Sequence, residues 1–213
     1  MVSQDTGVLN DYGINTENNE ITLTFLNEDE YGNAMSWNES SIKKVVAWFI
    51  SDEFKPFVSY DNLDITYFLK GKSYKKRFAN NMKGLIDVTF ETYSQYGYKR
   101  NNTVLDSYNQ SRNIYIDTNV QKSYKPKVII KNINANSVSI SNLTIGNDAF
   151  TINNLTNNQI ITIDNEIGTV MCDQENLIMH SNRKWLELIP GNNKITVSGN
   201  CNVEIMSLYP VMV

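Results

Sequence analysis

Histidine is all but missing from this chain: His180 is the single one in 213 residues, so neither an imidazole-ligated zinc site nor a paired-histidine mechanism can be assembled. Cysteine is nearly as scarce. Cys172 and Cys201 stand 29 positions apart with no CxxC spacing, which removes thiolate metal clusters and dithiol chemistry. In a chain made in a cytoplasm the two are expected as free thiols. Positive charge is not in surplus either: the formal net charge is −4 and the pI about 5.1. Lys and Arg gather only in short groups such as Lys72–Arg77 and Lys122–Lys127, too few for recognition of a nucleic-acid backbone. No long apolar run is present, and the opening residues MVSQDTG lack the basic start and apolar core of a signal peptide. Synthesis in a cytoplasm without membrane anchorage is the expectation.

Motifs that carry chemistry are equally sparse. There is no GxSxG, GxGxxG or phosphate-binding loop; Gly71-Lys72-Ser73 has the last three letters of such a loop without its upstream glycine. The carboxylates Asp61/Asp64, Glu28/Asp29/Glu30 and Asp173/Glu175 have the residue types for a glycosidase or a calcium loop, but none sits in a recognisable framework, and charged loops account for them. His180 falls in a polar insert, Asn176–Lys184, where a solvent-exposed loop residue is expected. No catalytic, cofactor-binding or metal-ligating residue is assigned, no cofactor is expected, and the chain is not read as an enzyme. Among the aromatics, Trp48 and Trp185 are expected in the core or at its rim, whereas Trp37, Tyr96, Tyr98 and Tyr108 are expected on the surface, as a protein interface or a sugar platform.

What the chain does have is apolar residues, 41% of the total, at strand periodicity. Ile21, Leu23 and Phe25 alternate with polar residues, as do Ile86, Val88 and Phe90 within Gly84–Tyr93, so both segments are expected as strands with one covered face. Pro56–Tyr60 and Ile65–Leu69 are shorter candidates. Ile42, Val45, Val46 and Phe49 fall at helical spacing behind Asn38 and Ser40, predicting one helix over about 40–51 with one of those two as its N-cap. Residues 96–124 are polar, with only Val104-Leu105 and Ile114–Ile116 apolar, and read as a linker or loop region with room for one short strand. From Pro126 onward, short apolar segments recur at Val128–Ile130, Val138–Ile140, Phe150–Ile152, Ile160–Ile163, Thr169–Met171, Leu186–Ile189, Ile195–Val197 and Val203–Tyr209, the pattern of a β-sandwich or jelly roll. The 31 asparagines, many in doublets such as Asn153-Asn154, Asn157-Asn158 and Asn192-Asn193, fall in the breaks, where Asn tolerates left-handed backbone and bonds its own main chain. The fold class expected is mainly β: an α+β first half with one helix, and a sandwich second half.

Two series carry a family resemblance. In the second half, Ile163-Asp164 followed by Gly168 and Val170, then Trp185-Leu186, Pro190-Gly191, Asn193, Ile195, Val197 and Gly199, resembles the galectin-like sandwich of the distal tail (Dit) proteins of long-tailed phages. In the first half, Val46-Ala47-Trp48-Phe49, Lys55–Asp61, Tyr67–Lys72 and Gly84–Tyr98 resemble the ring-forming domain of that family, with an N-terminus shortened ahead of Ile21. The resemblance implies a ring-forming domain over 1–110, a linker over 111–125 and the sandwich over 126–213. It further implies a structural role at the virion tail tip, in a homo-oligomeric, hexameric ring. The implied partners are the tail tube protein, the tail-associated hub or lysin protein and receptor-binding proteins. The alternative is a carbohydrate-binding module or adhesin, whose partner would be a host surface glycan; residues 126–213 alone would support it, while the first half would be superfluous to it.

Overall fold

The computed structural model describes residues 20–33, 35–50, 52–77, 85–106 and 111–212, and the chain divides between Gly97 and Tyr98 into two compact units. The first contains β1 (Glu20–Leu26), α1 (Glu39–Phe49), β2 (Lys55–Ser59), β3 (Asn62–Arg77) and β4 (Leu85–Thr92). β4 lies between β1 and β3, and β2 pairs with the first half of β3, all antiparallel. Alternation dictates the result: Ile86, Val88 and Phe90 of β4 turn to one face with Ile21, Leu23 and Phe25 of β1, and α1 lays Ile42, Val46 and Phe49 against them. The Phe49 ring is the joint of this packing, with its centroid 4.6 Å from Phe25 and 5.4 Å, edge-on, from Phe90.

Local chemistry sets both ends of α1. Of the two expected caps it is Asn38 that serves: its Oδ1 accepts the Ser41 N–H at 2.8 Å and the Ser41 hydroxyl at 3.1 Å, and Glu39 adds a negative charge to the first turn. At the other end Ile50 leaves the helix in extended geometry and forms a parallel bridge to Gly71 of β3. That glycine is required there, because a Cβ would lie 2.8 Å from the Phe49 carbonyl carbon. β3 runs unbroken through its basic half, with a register shift between Gly71 and Ser73 where the helix end comes down.

The second unit opens with β5 (Gly97–Leu105) and continues through β6 (Ser111–Ile116), β7 (Lys127–Asn132), β8 (Ser137–Asn142), β9 (Phe150–Asn153), β10 (Ile160–Asp164), β11 (Thr169–Cys172), β12 (Glu175–Asn176), β13 (Gly191–Ser198) and β14 (Cys201–Val211). One layer has the order β5-β14-β7-β10-β11-β12 and the other β6-β13-β8-β9. Each buries alternate residues: Val128, Ile130, Ile161, Ile163, Val170, Val203 and Ile205 on the first, Ile114, Val138, Ile140, Phe150, Ile152, Ile195 and Val197 on the second. This is a β-sandwich; with the first unit it makes a mainly-β protein, as the periodicity predicts.

Three expectations need correction. Residues 111–125 are not a spacer: β6 pairs along its length with β13, and Tyr124 bridges to Leu188 in both directions at 2.9 Å. β5 also falls in the stretch read as linker. Arg100, Asn102 and Val104 point outward and alternate with half-buried Lys99, Asn101 and Thr103, so the only buried apolar residues of β5 stand at its two ends, Tyr98 and Leu105. Leu186–Ile189 is not a ladder strand; it is held by the Leu188 bridge and by asparagine side chains. Gly84 and Tyr108 lie outside the described residues.

Candidate interaction surfaces

Buried asparagine replaces backbone pairing where the sandwich has none. Asn193, with no exposed surface, accepts the Ile189 N–H at 2.8 Å through Oδ1. Its Nδ2 donates to the Ile189 and Gly191 carbonyls at 2.8 and 3.1 Å, locking the Pro190-Gly191 turn. Asn165 does the same for a second loop, donating to the Pro126 carbonyl at 2.6 Å and accepting the Leu186 N–H at 2.9 Å. Asn132 closes a third, accepting from Ala135 and donating to Ala135 and Thr156. The expected turn role holds for other asparagines: Asn154 and Asn158 take φ of 58° and 63°. These networks are structural, each donor and acceptor being used within the fold.

The residues singled out for chemistry do not converge. Among the described residues no group of three or more His, Cys, Asp or Glu stands close enough to hold a metal ion. Asp29 is spent on its own loop, where Oδ1 accepts the Tyr31 and Asn33 N–H groups at 3.0 and 2.8 Å. His180 is half-buried rather than a free loop residue, because it ends a short 3₁₀ turn, Ile178–His180, held by its N–H to the Leu177 carbonyl. Cys172 and Cys201 are both free thiols. Register explains it: Cys172 faces Ile161, Ile161 faces Ile130 and Ile130 faces Val203, so three strand spacings, roughly 14 Å, separate the two sites. Burial pushes the Cys201 thiol up to about 11.

The insert that holds His180 covers an exposed sheet edge. Asn182 donates its N–H to the Thr151 carbonyl at 2.9 Å, accepts the Thr151 N–H at 3.0 Å and donates through Nδ2 to the Ala149 carbonyl at 2.7 Å, while Ser181 bridges to Ile152. The outer edge of β9 is thus satisfied within the chain, which blocks strand addition there. Trp185 is taken up by the fold, stacked 6.0 Å from Phe150 with Gly168 against its indole.

Aromatic exposure falls elsewhere than expected. Tyr96 and Tyr98 are buried, and Trp37 packs against the helix–sheet core. The most exposed aromatics lie elsewhere: Tyr60 at the β2–β3 hairpin, with Leu63 and Val58 beside it, Tyr31 in the loop after β1 and Tyr115 on β6. The signal was present in the Tyr60-Asp61-Asn62 turn sequence flanked by strands, but whether a turn aromatic folds back or stands out is not written in its neighbours. Away from the helix, the sheet of the first unit carries a polar ladder: Arg77 pairs with Asp87, which also accepts from Thr24 at 2.7 Å, and Lys72 pairs with Glu20. Hydrogen bonds from Arg77 and Thr24 hold the Asp87 carboxyl below its ordinary range.

Among the described residues, a helix-covered sheet and a β-sandwich define a mainly-β protein of two units. The chain belongs to the phage tail C-terminal domain family, whose model matches residues 96–207, so it is a phage tail protein. It is 21% identical over 196 residues to the uncharacterized protein YomH derived from the SPbeta prophage of Bacillus subtilis strain 168, covering 89% of this chain and 75% of that one. Its fold is similar to that of the Dit protein of phage SPP1, a paradigm of the hub adsorption apparatus in phages infecting Gram-positive bacteria. That likeness has a TM-score of 0.61 at 10% identity and spans 89% of this chain and 78% of that one. A chain of the phage P2 baseplate in its activated conformation is similar at a TM-score of 0.45 and 14% identity, over 88% of this chain and 78% of that one. Among the described residues no helix is long and apolar enough to cross a membrane.

Proposed function

We propose that this protein is an architectural subunit of the phage tail tip, joining the tail tube to the hub and the receptor-binding apparatus, and that it does so as a homo-oligomeric, hexameric ring. The observation that carries the reading is the extent of the likeness to the SPP1 hub protein, which spans 89% of this chain and so takes in the helix-covered sheet as well as the sandwich. Family membership places the chain in a tail. A sugar-binding module would need the sandwich alone, and of the aromatics expected to form a sugar platform Tyr96 and Tyr98 are buried and Trp37 packs on the helix–sheet core. The role is structural rather than enzymatic: surfaces of neighbouring copies and of tail components are its substrates, and closed rings require the front of one copy to meet the back of the next.

Mass photometry and negative-stain microscopy of the full chain test the reading, with a closed ring as the expected result. Labelling of intact virions with an antibody against the chain should mark the end of the tail. Label spread along the tail tube or on the head would overturn the assignment to the tip.

A further inference from the structure

The two layers of the sandwich carry different chemistry on their outward faces. On the β5-β14-β7-β10-β11-β12 layer apolar and charged groups are mixed, with Ile129, Met206 and Leu208 beside Lys127 and Glu204. On the β6-β13-β8-β9 layer the outward positions are hydroxyl and amide residues; Lys194 is the one charged side chain among them, and none is a carboxylate. Register makes this a single surface. Tyr115 stands opposite Asn192, Asn113 stands opposite Lys194, and Thr196 links Ser111 of β6 to Ser141 of β8. Tyr115, Asn113, Asn192 and Lys194 therefore form a block of four at the β6 end of the face. All are exposed, Tyr115 to 59%. None of them spends its side chain on a hydrogen bond or an ion pair among the described residues, whereas the buried asparagines of this sandwich are used by the fold itself.

We propose that this block binds a neutral hexose, as a residue of a glycan. Opposite positions on paired strands and alternate positions along one strand put the four Cβ atoms at the corners of a rectangle of about 5 by 7 Å, the footprint of one sugar ring. The Tyr115 ring receives the apolar C–H face of the hexose. Asn192 across the ladder and Asn113 along the strand are its nearest neighbours, and each amide offers donors and an acceptor to adjacent sugar hydroxyls. Lys194, on the diagonal, donates to a further oxygen. Other classes of ligand fit the face less well. A nucleic acid or another polyanion needs more cations than one, and a protein partner needs a larger apolar centre than one tyrosine. An uncharged, hydroxyl-rich ligand needs neither. This binding function goes beyond the architectural role and does not depend on it; in a ring, one site per copy would add weak single contacts into avidity.

The test is saturation-transfer NMR of the full chain with glucose, galactose and N-acetylglucosamine as probes. At least one sugar should take up magnetisation, most strongly at the C–H protons of one ring face. Tyr115→Ala should abolish that transfer and Asn192→Ala should weaken it, while Tyr60→Ala, which removes an exposed tyrosine of the other unit, should leave it unchanged. Thermal unfolding of each variant is the control on folding, and the outward direction of the Tyr115 side chain predicts an unchanged midpoint. No transfer to any of the three sugars, or transfer that survives Tyr115→Ala, overturns the site. So does mass photometry in which Tyr115→Ala lowers the assembly state of the chain, since the block is then a contact between copies.

Discussion

The Asn142 side-chain amide donates to Oδ1 of Asn193 across 2.8 Å, joining β8 to β13 through two side chains that are essentially closed to water. Asn142 also donates to the Glu187 carbonyl at 2.9 Å, so the pair ties the irregular 186–189 segment to the sandwich. Replacing Asn193 by Ala would take from the Asn142 amide one of its two acceptors and from the Ile189 N–H and the Ile189 and Gly191 carbonyls their side-chain partner. At about 1–3 kcal/mol for an orphaned buried group, and with the turn able to relax, the expected loss is about 3 kcal/mol. Asn193→Asp should cost at least as much, since an acceptor would then face the carbonyls of Ile189 and Gly191. Denaturant unfolding of the full chain checks this; a loss below about 1 kcal/mol would mean that water replaces the network.

Substitution at Gly71 and at Gly191 should be costly for different reasons. At Gly191 φ is +84° and a Cβ meets nothing within 4 Å, so Gly191→Val costs only backbone strain, about 1–3 kcal/mol, and Gly191→Asn less. At Gly71 the obstacle is the Phe49 carbonyl, so Asn gives no relief, and Gly71→Ala must push α1 off β3. The thermal midpoints of the four variants decide: similar values for Ala and Asn at position 71, together with a clear advantage of Asn over Val at position 191, are expected.

Acid should unlock the polar ladder of the first unit. The Asp87 pKa is lowered in the folded chain by hydrogen bonds from Arg77 and Thr24. Its contribution is therefore fully present above the ordinary carboxylate value of 3.8 and is lost as pH falls through the lower folded value. Asp87→Asn should destabilise the chain at neutral pH, and the gap in melting temperature between it and the wild type should shrink below pH 3.8. A gap that widens on acidification would contradict the sign.

Thiol labelling should separate the two cysteines. Cys172, half-buried, should react before Cys201, which is fully buried with its thiol pushed up to about 11. Oxidant should yield no bond between them within one chain, because the intervening β7 and β10 hold them apart. Peptide mass spectrometry after native and denatured labelling reads both outcomes; an intramolecular disulfide formed without unfolding would show the register to be wrong.

Much of the architecture was legible locally. Alternation placed β1, β4, β7, β8, β9, β10, β11, β13 and β14, because a sheet with one covered face imposes period two on its apolar residues. Helical spacing behind a capping asparagine placed α1. The Pro190-Gly191 turn was equally legible, since a positive φ after proline selects glycine.

The polar stretch that left room for one short strand holds two, β5 and β6, because their outward positions carry Arg, Asn, Ser and an exposed Tyr115, and a polar, amide-rich strand resembles a loop until its partners are known. Leu186–Ile189 failed in the other direction: its pattern was that of a strand, yet its hydrogen bonds go to Tyr124 and to the side chains of Asn165 and Asn193. Residue type and short-range period were enough for the class of fold, the one helix and the scarcity of catalytic groups. Which asparagines became buried ties and which tyrosines went inside was settled by long-range pairing, since each depends on strand neighbours far away in sequence.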